Sequence, residues 1–235
     1  MSDDVTRARV AALVPAAGRG ERLGPGAPKA LRELAGTPML VYAVKALASS
    51  PMVDVVVVAA PAEYIDDVRA LLDRQEFSAD VSVVAGGETR SESVARALIG
   101  LPPDVDVVLV HDAARPLVPV EIVTGVVSAV RGGHPAVVPV VPLVDTIRSV
   151  GEDDAIGPTV SRDRLRAVQT PQGFSRDVLQ RAHAEVDAAV TDDAGMVESL
   201  GIPVHAVDGH EEAFKVTRPL DVILAESVIA RRRVR

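Results

Sequence analysis

Two cations, Arg22 and Lys29, follow a run of small residues, Pro15-Ala16-Ala17-Gly18-Arg19-Gly20, within residues 10 to 31. Small side chains and glycines let backbone N–H groups close on an anion, and flanking cations add charge, which is the chemistry of a phosphate cradle. No Gly-Lys-Ser/Thr closes the segment, so it is not a P-loop. Gly18, Gly20 and Gly24 give a spacing close to a dinucleotide fingerprint, which leaves a dinucleotide-binding oxidoreductase open as a second reading. Pro25, Gly26 and Pro28 oppose that reading, because a dinucleotide loop opens directly into the helix whose N-terminus takes the pyrophosphate. The plainest alternative is a tight glycine turn whose cations are merely solvated.

Two later segments add candidates. Gly86-Gly87-Glu88-Thr89-Arg90-Ser91-Glu92-Ser93 is a second glycine turn, with hydroxyls placed to cap a helix. His111-Asp112-Ala113-Ala114-Arg115-Pro116 follows an apolar run, so a carboxylate stands at a strand end. The chain has no cysteine, which removes thiolate nucleophiles, thiolate metal sites and disulfides, and points to the cytosol. With neither a paired histidine nor a serine in a nucleophile elbow, hydrolase chemistry finds no support. His111 and His134 read as structural. A formal net charge of -8 and an aromatic content of 2% oppose nucleic-acid binding, so an anionic ligand must be gripped by a local basic cluster. That suits a small phosphorylated substrate.

The elements that position these residues alternate. At 235 residues the length fits a single domain spanning 1–235. Strands are expected at Val10–Val14, Val53–Ala59, Val81–Ala85, Val105–Val110, Ala136–Val141 and Val204–Val207. Between them the spacing predicts a helix capped at Thr37-Pro38 and running to Ala48. Further helices carry Ile65 to Leu72, Val94 to Ile99, Ile122 to Val130, Val178 to Val186, a short run after Asp192-Asp193, and Pro219 to about Arg231. Alternating strands and helices imply an α/β fold, Rossmann-like and doubly wound, with a mainly parallel sheet and ligands at the carboxyl ends of its strands. The rhythm breaks at about 145–165, where two apolar-alternating segments flank an acidic turn; this reads as an inserted β-hairpin arm, with dimerisation as its expected use. Met1 to Arg9 lacks a secretory apolar region and the longest apolar runs are too short to span a bilayer, so a soluble cytoplasmic protein is expected.

The motifs PAAGRGERLGPGAPKAL, GGETRSESV, VLVHDAARP, DTI, SRDRLRAVQTPQGF, TDDAGMVE and FKVTRPLD, in that order over residues 10 to 228, resemble the methylerythritol phosphate cytidylyltransferases of the non-mevalonate isoprenoid pathway. The resemblance implies transfer of CMP from CTP to the phosphate of 2-C-methyl-D-erythritol 4-phosphate, with release of pyrophosphate and a need for magnesium. It implies that Arg22 and Lys29 contact the triphosphate. The backbone of Pro15, Ala16, Ala17 and Gly18, together with Ala113, would hold the nucleotide, and Gly87, Glu88, Arg90 and Ser93 would surround its base and ribose. It places Asp112 near the phosphates and the metal. Arg162 and Lys215 would grip the attacking phosphate, and Arg115, Thr146 and Thr170 would line that pocket. In-line attack by a phosphate oxygen needs no protein nucleophile, only two anions brought together and the charge at phosphorus stabilised, so cations carry the work. A cytidylyltransferase for another polyol phosphate, such as ribitol 5-phosphate, would use the same loops.

Overall fold

Val10 to Val14 are wholly buried, as expected of a strand covered on both faces, and they form the centre of the sheet. The computed structural model describes residues 8–18, 28–186 and 192–233. In chain order its elements are β1 (Arg9–Pro15), β2 (Glu33–Leu34), β3 (Thr37–Pro38), α1 (Met39–Ala48), β4 (Val55–Ala60), α2 (Ile65–Asp73), β5 (Asp80–Ala85) and α3 (Arg90–Ile99). There follow β6 (Val105–Val110), α4 (Val120–Arg131), β7 (Ala136–Pro142), β8 (Ile147–Val150), β9 (Ile156–Val160), β10 (Arg166–Val168) and β11 (Gln172–Ser175). The chain closes with α5 (Arg176–Glu185), α6 (Asp193–Ser199), β12 (His205–Asp208) and α7 (Pro219–Arg233).

β5, β4, β1 and β6 run parallel in that spatial order, as the alternation of strands and helices requires. β11 then runs antiparallel between β6 and β7, and β12 lies parallel to β7. β10 also runs antiparallel to β7. The registers Val168↔Val140 and Gly173↔Val137 put β10 and β11 on one line along β7, broken at residues 169–171, where the Thr170-Pro171 bond is cis. The break matters for the site. Gln172 pairs with Val110, and continuing that register sets Thr170 opposite Asp112, just past the carboxyl end of β6.

The period of two along each strand sorts the core into two layers. Val10, Ala12 and Val14 pack with Val56, Val58 and Leu109 beneath α1, α2 and α4. Ala11 and Leu13 face the other way, with Val57, Val108 and Val110, beneath α3, α5 and α6. Phe174 is fully buried in this second layer. A third apolar cluster joins α7, through Ala225, Val228 and Ile229, to Leu34, Met39 and Leu117.

The helix expected to be capped at Thr37 starts later. Thr37 and Pro38 form β3, paired with β2, and α1 begins at Met39 with Pro38 before it. The cause is a two-residue hairpin turn at Ala35 and Gly36, both at positive φ (49° and 79°), a geometry whose twist matches paired strands. The Ala35 N–H donates to the Glu226 carboxylate on α7 at 2.9 Å, which helps hold an alanine where glycine is usual. The hairpin expected at about 145–165 is present as β8 paired antiparallel with β9. Its Val150 and Ile156 are each 60% exposed. β10 and β11 were not expected: both are short, β10 has three residues, and β11 carries a glycine and follows Pro171, so neither shows a clean alternation.

Candidate active site

The carboxyl ends of β1, β4, β5 and β6 open into one cleft of about 1260 Å³. Its walls come from Pro15 to Gly18 after β1, Pro61 after β4, Gly86 to Arg90 after β5, and Asp112 to Ala114 after β6. Lys29, at the start of a single 3-10 turn, and Lys215, ahead of α7, also line it. The second glycine turn is pressed against the first: a Cβ on Gly86 would lie 2.7 Å from the Ala17 Cβ and 3.1 Å from the Ala60 carbonyl oxygen. Only glycine lets the two loops meet that closely.

The Gly86–Ser93 turn is locked by its own hydroxyls. Thr89 caps α3 by accepting from the Glu92 N–H at 3.1 Å, while the Glu92 carboxylate accepts from the Glu88 N–H at 2.8 Å. The buried Ser93 hydroxyl accepts from the Gly87 N–H at 3.0 Å and donates to the Thr89 carbonyl at 2.9 Å. Gly87, Glu88 and Ser93 thus reach the cleft on a loop held by its own hydrogen bonds.

Asp112 is the electrostatic centre. Arg90 Nε lies 3.1 Å from its Oδ1, Lys215 Nζ lies 2.7 Å from its Oδ2, and Arg115 Nε is 4.0 Å away. Burial alone would raise the Asp112 carboxyl; the Arg90 guanidinium and then the Lys215 ammonium outweigh it and hold the group well below the usual carboxylate range. Arg90 also reaches Asp193 Oδ2 at 2.5 Å, and His183 Nε2 lies 2.9 Å from Asp193 Oδ1. Burial would lower Arg90, but Asp193 and Asp112 raise it above its ordinary value. At Asp193, burial pulls upward, and the His183 hydrogen bond and Arg90 bring the carboxyl below its usual range.

Behind Asp112 runs a buried relay. The Asp112 N–H donates to Thr170 Oγ1 at 3.1 Å, Thr170 Oγ1 lies 3.0 Å from His111 Nδ1, and His111 Nε2 lies 3.1 Å from the Arg115 carbonyl. A neutral imidazole with its proton on Nε2 satisfies every member: Nε2–H donates to the carbonyl, and the threonine hydroxyl donates to Nδ1 while accepting from the amide. Burial pushes His111 down to about 4, consistent with that neutral form. His111 is therefore structural, as expected, and it fixes the backbone from which Asp112 projects.

Pro15, Ala16, Ala17, Gly18, Lys29, Gly87, Glu88, Arg90, Ser93, Asp112, Ala113 and Lys215 all line the cleft. Four expected residues do not. Thr170 is buried behind Asp112 as described. Arg115 donates to the Ala213 carbonyl at 2.7 Å and the Val168 carbonyl at 3.2 Å, so it ties the segment before Lys215 to β10. Burial lowers its guanidinium, and Asp112 offsets this only in part. Thr146 and Arg162 flank the hairpin and are exposed, with Arg162 donating to the Val144 carbonyl. Arg22 lies outside the described residues. Sequence reasoning missed the buried Asp193, which it took only as part of a helix cap, and the cleft residues Thr217 and Arg96.

Among the described residues no three carboxylate or imidazole side chains converge as a metal site. Both Asp112 oxygens already face cations, at 3.1 and 2.7 Å. That setting suits a carboxylate that positions cations and does not fit a direct magnesium ligand.

A cleft walled by glycine loops and cations at the carboxyl edge of a mainly parallel sheet is the setting of an α/β protein that handles a phosphorylated ligand. The family model described as 2-C-methyl-D-erythritol 4-phosphate cytidylyltransferase matches residues 10–231. A protein of that name from Streptomyces avermitilis is 59% identical, over 100% of this chain and 98% of its own length. Its namesake from Streptomyces coelicolor is 60% identical, over 97% of this chain and 87% of its own length. The crystal structure of the Thermus thermophilus enzyme superposes with a TM-score of 0.75 at 36% identity, covering 94% of this chain and 98% of that one. The chain belongs to the 2-C-methyl-D-erythritol 4-phosphate cytidylyltransferase family.

Proposed function

We propose that the enzyme transfers CMP from CTP to 2-C-methyl-D-erythritol 4-phosphate, giving 4-diphosphocytidyl-2-C-methyl-D-erythritol and pyrophosphate in isoprenoid precursor biosynthesis. The observation that carries this is the convergence of Lys29, Arg90 and Lys215 on one cleft with two glycine loops. A phosphate oxygen of the alcohol phosphate forms a bond to the α-phosphorus of CTP, and the bond from that phosphorus to the bridging oxygen breaks, releasing pyrophosphate. Backbone groups of Ala16 to Gly18 and the cations Arg22 and Lys29 hold the triphosphate and offset charge on the leaving group. Lys215, anchored in the free enzyme by Asp112 and 38% exposed, turns to the incoming phosphate. Magnesium arriving with the triphosphate would supply charge neutralisation at the phosphates. A pyrophosphate-release assay with each purified alcohol phosphate tests the reading; release with ribitol 5-phosphate and none with methylerythritol phosphate would overturn it.

The β8–β9 hairpin serves as a dimer arm on a single 1–235 domain. Exposed Val150 and Ile156 support this, since apolar side chains that stay 60% exposed on a ribbon are open to cover by a second copy. Thr146 and Arg162 do not line the cleft of their own chain, so their expected contact with the alcohol phosphate fits a cleft completed by the partner's arm. Sedimentation should give a dimer, and mixing Arg162→Ala with Lys29→Ala chains should restore part of the turnover that each lacks. Independent sites would leave the mixture inactive. The absence of cysteine fits a cytoplasmic setting, and among the described residues no helix is long and apolar enough to cross a membrane.

A further inference from the structure

Arg90 is held from two sides. Its Nε meets Asp112 at 3.1 Å and its Nη1 meets Asp193 at 2.5 Å. Asp193 has no exposed surface, opens α6, and is backed by His183 Nε2 at 2.9 Å. Lys215 differs: its only described ion pair is the one to Asp112 Oδ2. The five groups form a chain, Lys215–Asp112–Arg90–Asp193–His183, that runs from the cleft mouth into the protein. Charges in such a chain compete. A guanidinium shared between two carboxylates makes a limited demand on each, whereas one deprived of its second carboxylate turns fully on the first.

We infer that Asp193 is a positioning residue for the transfer reaction, acting through Arg90 to keep Asp112 available to Lys215. With Asp193 in place, Arg90 is committed to the protein on both sides and Lys215 is the cation free to change partner when a phosphate arrives. Without it, Arg90 closes on Asp112 and displaces the Lys215 ammonium from the position that meets the attacking phosphate. The buried His183 donor fixes which way the Asp193 carboxylate faces. No other group within hydrogen-bond distance of Asp193 Oδ2 competes for Arg90 among the described contacts. The inference rests on the cytidylyl-transfer reading for its kinetic consequence, while the Lys215 displacement follows from the charge chain alone.

The test compares Asp193→Asn, Arg90→Gln and the double variant with wild type. Asp193→Asn should lower kcat/KM for the alcohol phosphate by about tenfold and leave KM for CTP within about twofold. The double variant should lose no more than Arg90→Gln alone, because Asp193 has nothing to act through once Arg90 is gone. If Asp193→Asn does not fold, Asp193→Glu, which keeps the charge but displaces it by one methylene, takes its place in the same cycle. Losses that multiply, or equal loss for both substrates in step with lower melting temperature, would show a merely structural role and overturn the inference. Labelling of Lys215 by an amine-specific reagent, read by peptide mass spectrometry, is independent of turnover. It should be several-fold faster in Asp193→Asn, since an amine released from its contact with Asp112 is more open to the reagent; an unchanged rate overturns the inference even if the wild type proves to act on another alcohol phosphate.

Discussion

Acid should loosen this protein through His111 before it reaches the carboxylates. Burial holds the His111 imidazole at about 4 against a usual 6.5, and the ring is wholly inaccessible to solvent. A group whose folded value lies below its unfolded value binds more protons when unfolded, so its contribution is complete above 6.5 and is lost as pH falls toward 4. The shift corresponds to about 3 kcal/mol, a large share of a typical domain's ~5–15 kcal/mol. Protonation would also make Nδ1 a donor, so the Thr170 hydroxyl would accept from both sides and its own hydrogen would lose its buried acceptor. His111→Gln, which keeps a donor toward the Arg115 carbonyl but cannot titrate, should be less stable than wild type at pH 7.5 by about 1–2 kcal/mol, the cost of one lost buried hydrogen bond. Urea unfolding from pH 7.5 to 4 should show the two stabilities converging and then crossing, with His111→Gln the more stable by about 1–2 kcal/mol at pH 4. Parallel curves, or an NMR titration in which the His111 ring protonates near its unperturbed value, would refute the reasoning.

Three other outcomes follow from the same geometry. Lys215→Ala removes a charge-assisted contact of ~1.5–3 kcal/mol and should cut kcat/KM for the alcohol phosphate by about ten- to hundredfold. Its CTP dissociation constant, measured by calorimetry, should stay nearly constant; a collapse of CTP affinity would place Lys215 on the nucleotide instead. Asp112→Asn leaves Arg90 and Lys215 without the carboxylate they share, and it should cost about 2–3 kcal/mol, toward the low end for a broken ion pair because Lys215 is partly exposed. Differential scanning calorimetry should register a melting temperature lower by about 5–10 °C. The Asp112 carboxyl is held below its usual range, so its contribution is present above that range and fades as pH falls below it; the wild-type advantage should shrink in strong acid. Phe174→Ala empties a fully buried site between the sheet and α5, and denaturant unfolding should show a loss of about 3–5 kcal/mol with the active-site kinetics of the remaining folded enzyme little changed.

The parallel half of the sheet was legible because its strands are continuous valine runs and its helices repeat every three to four residues. Val105–Val110 falls at its expected bounds, and most other elements shift by a residue or two at their ends. What the sequence hid is the antiparallel half. β10 and β11 are stitched along β7 by register, and their interruption at residues 169–171, which sets Thr170 against Asp112, leaves no periodic signal. The cleft itself was legible, since each glycine turn stands at a strand end and strand ends share one edge. The charge chain was not. Asp193 reads from sequence as a helix cap beside Asp192, and only the packing of α6 against the β5–α3 turn turns it toward Arg90. Arg115 shows the converse: a cation expected in the substrate pocket is spent on two carbonyls.

Phosphorus NMR of the enzyme mixed with CTP and 2-C-methyl-D-erythritol 4-phosphate addresses the proposed reaction most directly. The α- and β-phosphorus signals of a new cytidine diphosphodiester should grow at the same rate as free pyrophosphate, with no signal for CMP or CDP. Inert CTP, or CTP consumed to CMP or CDP without the diphosphodiester, would contradict cytidylyl transfer at this cleft.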